Sequence, residues 1–373
     1  MSKQRVNLRR FMLTALGLTM SWQMSAVYAD TSYPEISTLP DISYNKAKAE
    51  LGKRLFFDTR LSGDAVLSCA SCHDPKKGFS DGLALSNGYP GNKHFRNTPT
   101  VINAAHKKVW MHDGRLGTNL NDVTRGMLTE DYLMNMDMRI MQERIKQDPI
   151  YIKMFKEAGM GEPSNGKVRN LIPEYLKTLT SKNAPFDTGK MSDSAKKGFE
   201  LFKGKAGCVQ CHNGSLLSDG KAHNTGVPEN LDVFLDPLRH QAFIAYSMFM
   251  GVENYMNLKR DAGAHIQLHK ADGSGMGSFM TPSLRELKYT APYMHNGMLA
   301  TLADVVTFYN QGGGEDSNKS KALKPLNLSE QEQKDLVAFL ESLSGDPLVG
   351  ESYEWTKDDY KYEVIADWKN VPN

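Results

Sequence analysis

Cysteine is scarce in this sequence: four in 373 residues, placed as the pairs Cys69/Cys72 and Cys208/Cys211. Each pair runs straight into a histidine, His73 or His212, so no thiol lies outside the pattern Cys-x-x-Cys-His. That leaves nothing for a disulfide framework of the kind that staples small secreted domains. Net charge is equally lacking. Lys and Arg number 45 against 43 Asp and Glu, a balance of +2 with the signs interspersed, which offers no footing for nucleic acid. After residue 29 no apolar run reaches the roughly 20 residues a membrane helix needs, so the chain is not expected to be membrane-embedded.

The first 29 residues are a different matter. Lys3, Arg5, Arg9 and Arg10 supply a positive start, Phe11 to Val27 is mostly apolar and small, and Val27-Tyr28-Ala29 offers a cleavage site before Asp30. This is the pattern of a secretory signal peptide. Ser21 and Gln23 shorten the apolar run and disfavour an uncleaved anchor.

Cys-x-x-Cys-His is the attachment signature of a c-type haem. The two thiols add to the vinyl groups as thioethers and the histidine becomes the proximal iron ligand. The expectation is two covalently bound haem c, one on Cys69, Cys72 and His73 and the other on Cys208, Cys211 and His212. A single zinc held by four Cys and two His is the alternative, disfavoured by the histidine directly after each pair. Export and haem attachment together point to a periplasmic location.

Mainly α structure is expected, in two cytochrome-c-like haem domains with long loops and little β. Ala47, Leu51, Leu55 and Phe56 recur at helical spacing after Ser43, and Ala195, Phe199 and Phe202 do so after a capping Ser192. Leu51-Gly52-Lys53-x-Leu55-Phe56 and Lys197-Gly198-x-x-Leu201-Phe202 each lead into a haem motif, an internal repeat. The polar stretch from Ser181 to Thr188 divides an N-terminal haem domain, 30–185, from a C-terminal one, 186–345. A tail, 346–373, carries no functional reading.

Between the haem motifs, Met127, Met134, Met136, Met138 and Met141 suggest a methionine-lined core rather than an iron ligand. His223, His240, His265 and His269 read as loop histidines. Thr301 with Asp304 caps a helix whose Leu302, Val305, Val306 and Tyr309 share one face, so Tyr309 is expected to be buried and to need a partner for its oxygen, a core hydrogen bond or ferric iron. Ser329 with Glu332 starts a last helix ending near Ser344, with Leu336, Val337, Phe339, Leu340 and Leu343 on its apolar face.

Several further stretches carry a resemblance: Leu55-Phe56-Phe57-Asp58, Leu67-Ser68 before the first motif, Arg96-Asn97-Thr98-Pro99-Thr100, Asp113-Gly114-Arg115, Thr281-Pro282-Ser283-Leu284-Arg285 and Ala291-Pro292-Tyr293-Met294-His295-Asn296-Gly297. With these, the chain resembles the bacterial di-haem cytochrome c peroxidase and MauG family. The resemblance implies that hydrogen peroxide reacts at the N-terminal haem while the C-terminal haem passes or stores electrons. It also implies a calcium at the junction, held by the Asn97 side chain and the carbonyls of Thr290 and Pro292. In the peroxidases a Met fourteen residues after the His of Pro-Tyr-x-His ligates the second haem; in MauG-type proteins a Tyr does so. Counted from His295 that place is Tyr309, which tilts the expectation toward MauG-like oxidation of a protein side chain.

Departures from the family pattern fall around the first haem. The removable distal histidine of the peroxidases would lie near Tyr89, and the nearby His94 is only an alternative ligand, so an open first haem is expected. The Trp usually found before Asp-Gly-Arg is His112 here, with Trp110 two residues earlier as a replacement relay. The usual distal Gln, Pro and Glu fall near Val123, Met127 and Leu133, leaving Glu130, Asp131 or His112 to handle the proton that peroxide cleavage requires. Two other functions stay open: peroxide detoxification with electrons from a small periplasmic redox protein, and electron transfer by a di-haem cytochrome without peroxidase activity.

Overall fold

The computed structural model describes residues 35–349 except 118 and 271, together with Tyr353 and Trp355. The expected signal segment and most of the tail lie outside the described residues. The chain is mostly helical, 40% helix against 5% strand, as the spacing of its apolar residues anticipates.

Helix α1 (Lys46–Phe56) starts where the Asn45 side chain accepts a hydrogen bond from Lys48 N at 3.0 Å. Leu51, Leu55 and Phe56 are buried. Ala47, expected in the same stripe, is exposed and Ala49 is buried in its place, because the helix is rotated to bring Gly52 against α5. The chain then turns through the first haem motif, Cys69–Ser71 forming one 3-10 turn. Strands β1 (Val109–Trp110) and β2 (Leu116–Gly117) pair antiparallel, followed by α2 (Leu120–Thr129), α3 (Met138–Lys146), α4 (Pro149–Glu157) and α5 (Asn165–Leu176). Phe79, Leu128, Met134, Met136, Met141 and Tyr175 join α1 in the first core, so three of the five methionines are core residues.

The second half repeats the plan. Helix α6 (Asp193–Lys203) is capped by Ser192 and leads to a matching 3-10 turn at Cys208–Gln210. After β3 (Ala222–His223) come α7 (Asp232–Leu235), α8 (Pro237–Phe249), α9 (His265–Leu268) and β4 (Phe279–Met280), which pairs antiparallel with β3. Helices α10 (Leu302–Asn310) and α11 (Glu330–Ser342) begin at capping boxes, Thr301 with Asp304 and Ser329 with Glu332. Phe202, Val306, Leu336, Phe339 and Leu343 form a second core. A third core, with no forerunner in the sequence reading, joins Leu85 and Phe95 to Phe243, Tyr246 and Ile266.

The repeated glycines explain the repeat. A Cβ at Gly52 would stand 2.1 Å from Leu171 O of α5, and one at Gly198 would stand 2.0 Å from Asp335 O of α11. Each helix that precedes a haem motif therefore crosses its partner backbone to backbone, which only glycine permits. Gly198→Ala is expected to destabilise the protein by about 1–3 kcal/mol through overpacking. Gly166→Ala, a helical site with nothing within 4 Å, should be neutral or mildly stabilising in the same thermal-denaturation series.

Candidate functional site

Both haem motifs place their histidine in the same way. His73 Nδ1 lies 3.0 Å from Phe79 O, and His212 Nδ1 lies 2.8 Å from Leu217 O. A carbonyl can only accept, so each ring carries its proton on Nδ1 and presents the Nε2 lone pair, the tautomer an axial ligand needs. Burial lowers both imidazoles below their ordinary range, which keeps them neutral and ready to ligate. Burial also pushes the thiols up, Cys69 and Cys208 to about 12 and Cys72 to about 11. Cys69 packs on the first core and Cys208 on the second, so the four cysteines do not converge on one zinc.

Tyr309, on α10, reaches the second motif. Its phenol bonds to the Thr225 side chain and feels the Cys208 and Cys211 sulfurs, and burial raises it to about 12. His94, the sequence candidate for the first motif, is engaged by its own neighbours. His94 Nδ1 accepts from Arg96 N at 3.0 Å, while its ring stacks on Phe95 with centroids 4.9 Å apart.

Trp110, His112, Glu130 and Asp131 occupy different surroundings. Trp110 is buried and donates through Nε1 to Ala104 O at 3.1 Å. His112 Nε2 donates to Asn97 O at 2.9 Å; burial and the Arg96 guanidinium lower it to about 4. Glu130 lies 3.5 Å from the Arg115 guanidinium, and its Oε2 is buried without a hydrogen bond. Burial raises its carboxyl despite Arg115. Asp131 is exposed, bordering a cavity of about 220 Å³ with Tyr89, Pro90 and Gln241. Asn97 donates through Nδ2 to Leu83 O at 2.5 Å, which leaves Oδ1 as its acceptor end, and its backbone N–H donates to His295 O at 2.7 Å. Gly78 abuts Tyr289 and Thr290, so the segment holding Thr290 runs beside the turn that follows the first haem motif.

The sequence profile of the di-haem cytochrome c peroxidase family matches residues 46–195. A cytochrome-c peroxidase of Denitromonas iodatirespirans, IdrP2, is 50% identical over 350 residues, covering 92% of this chain and 94% of its own length. This chain belongs to the di-haem cytochrome c peroxidase family. Methylamine utilization protein MauG of Methylorubrum extorquens is 35% identical over 308 residues, covering 80% of this chain and 79% of MauG. The crystal structure of a MauG-like protein associated with microbial copper homeostasis superposes with a TM-score of 0.70 at 27% identity, covering 86% of this chain and 96% of that one.

As a di-haem peroxidase the protein is an oxidoreductase with two c haems, and the two motifs fit them: paired half-buried thiols beside an imidazole whose Nδ1 is directed at a backbone carbonyl. Among the described residues Cys211, Asp219 and His223 also approach one another, with His223 Nε2 2.7 Å from Asp219. Once the Cys211 sulfur is a thioether, that trio is not a metal site. His265 Nδ1 donates to Ser274 O at 3.0 Å.

The family motifs meet in a buried ionic network. Arg96 grips Asp261 through Nε at 2.6 Å and Nη2 at 2.7 Å, and its Nη1 donates to Asp113. Tyr246 and Arg115 donate to the same Asp113. Burial alone would push the Asp113 carboxyl up, but Arg96 and Arg115 hold it well below the usual carboxylate range. Arg96 and Asp113 belong to recognisable motifs; Asp261 and Tyr246 lie in the stretch that showed no pattern.

Around this network three histidines are kept neutral. Burial lowers His94 and His295 to about 3, as it lowers His112 to about 4, against 6.5 for a free histidine. Below pH 6.5 the unfolded chain therefore binds more protons than the folded one. Stability from these groups is complete above pH 6.5 and is lost as the pH falls toward 4. The melting temperature of the holoprotein is expected to drop across that window, and His112→Gln should make the drop shallower. A flat profile from pH 6.5 to 4 would contradict the assignment.

Proposed function

We propose that this periplasmic enzyme reduces hydrogen peroxide at its first haem, in the domain 30–185, with electrons entering through the second, in the domain 186–345, from a protein donor. The supporting observation is the inequality of the two sites. A phenol stands beside the second motif, whereas His94, the sequence candidate for the first, is bonded to Arg96 N and stacked on Phe95. The haem irons supply the redox chemistry of O–O cleavage when bound. The balance is one peroxide, two electrons and two protons giving two waters, so the protein must deliver both protons and electrons. Tyr309 would bind the second iron as tyrosinate; the burial that raises its phenol to about 12 in the metal-free chain is offset by a ferric ion.

Glu130 is the residue best suited to handle the peroxide proton. Its carboxyl is raised by burial, its Oε2 lacks a hydrogen bond, and Arg115 restrains it. Asp131 opens to solvent, and the His112 ring proton is committed to Asn97 O. Trp110 and His112 serve instead in the region between the haems. Calcium would sit on Asn97 Oδ1 and the carbonyls of Thr290 and Pro292, an all-oxygen set that suits the ion. A periplasmic location is supported by the pattern of residues 1–29 and by covalent haem attachment, and among the described residues no helix is long and apolar enough to cross a membrane.

A second reading, oxidation of a side chain on a partner protein, is favoured by Tyr309 itself, the residue type that the MauG branch places there. Both readings share the same ligand, which one variant tests. Tyr309→Phe is expected to change the ferric absorption and magnetic spectra of the second haem and leave those of the first intact; an unaltered second haem would sink the assignment. Glu130→Gln is expected to lower kcat/KM for peroxide by about 100-fold or more, with Asp131→Asn close to wild type. The reverse order would move the proton-handling role to Asp131.

A further inference from the structure

The loop that passes the first haem motif is held from outside by one arginine. Residues 85–95 fold back on themselves: Ser86 N donates to Arg96 O at 3.0 Å and His94 N to Ser86 O at 3.1 Å. The tip is stitched to the segment after α2 by Tyr89 N donating to Tyr132 O at 3.1 Å. That segment continues into Met134 and Met136, which pack in the same core as Cys69 and Ala70. The loop thus borders the first haem site.

Arg239, two residues into α8, donates to three carbonyls of this loop. Nη1 reaches Ser86 O at 2.8 Å and also His94 O, and Nη2 reaches Leu85 O at 3.1 Å. Asp236, the cap of α8, accepts from Arg239 N and pairs with Lys93 of the loop at 2.5 Å. Beneath these contacts Phe95 stacks edge-on against Phe243 of α8, at 5.5 Å between centroids. Helix α8 and its cap therefore grip both ends of the loop, and a cation shared among three carbonyls is a stronger tether than neutral bonds.

The grip fixes His94. Its Nδ1 lone pair is taken by Arg96 N, so the ring proton sits on Nε2 and neither nitrogen is free to bind iron. Releasing the ring requires breaking that bond, unstacking Phe95 and freeing the His94 carbonyl from Arg239. We infer that Arg239 is a positioning residue that clamps loop 85–95 and keeps His94 off the first haem, so that the peroxide site is held open without a conformational trigger. This rests on the reading of the first haem as open in the resting enzyme.

The test uses the holoprotein in its diferric state. In Arg239→Ala, amide exchange across residues 85–95 is expected to rise by about tenfold or more, the loss of a charged tether. Part of the first haem's high-spin signal in electron paramagnetic resonance should convert to low-spin. Adding His94→Ala should restore the high-spin signal while the loop stays fast-exchanging, and Arg239→Lys, which keeps a cation there, should fall between wild type and Arg239→Ala. If the Ala variant does not fold, Arg239→Gln provides the same comparison. A wild-type first haem that is already low-spin overturns the open-site reading and the clamp with it. A high-spin wild type whose Arg239 variants keep the full signal, or a low-spin conversion that persists without His94, overturns the clamp alone.

Discussion

One hydrogen bond, made twice, sets the terms for everything this protein does: an imidazole Nδ1–H directed at a carbonyl five or six residues further on. At His73 the acceptor is Phe79 O, and at His212 it is Leu217 O. The bond selects the tautomer, fixes the ring plane and aims Nε2 at the place where iron must lie. In both halves the histidine follows a 3-10 turn over the cysteines, and the helix before that turn is pressed against its neighbour at a glycine, Gly52 or Gly198.

From this symmetric foundation the two sites diverge through what faces them. The second motif meets Tyr309, delivered by a helix whose capping box leaves little freedom in its start. The first meets a loop held by α8 and a buried network centred on Arg96, Asp113 and Asp261. Buried charges of this kind are costly unless fully paired, and here both carboxylates and the guanidinium are. The network joins residues near 96, 113 and 261, so it binds the loop after the first motif to the segment before β4, and its neutral histidines make the junction sensitive to acid.

Much of this was readable from local pattern. The caps Ser192, Thr301 and Ser329, the repeated Gly within an apolar stripe and the spacing of Cys and His all act over a few residues, and they set helix starts and haem attachment, whereas the first helix begins at Asn45 rather than Ser43. Even there the helical stripe misplaced Ala47, since the rotation of α1 is decided by contact with Leu171 rather than by its own periodicity. The place of Tyr309 near the second motif was reachable by counting from His295, although Phe308 rather than Tyr309 is the aromatic that α10 buries most fully. What escaped were pairings across long stretches of chain. Arg239 with Ser86, Arg96 with Asp261 and Tyr246 with Asp113 are each separated by more than a hundred residues and lie in a region without regular apolar repeats. The acidic residue beside Arg115 was likewise ambiguous in sequence, because Glu130 and Asp131 are neighbours and only burial separates them.

We propose that the two haems, although attached in the same way, are chemically unequal. The electron paramagnetic resonance spectrum of the diferric wild-type protein tests it most directly. One high-spin ferric signal is expected from a first haem with a vacant position and one low-spin signal from a second haem with two protein ligands, in equal amounts. Two low-spin signals would mean that the first haem is closed at rest, and the account would be wrong at its core.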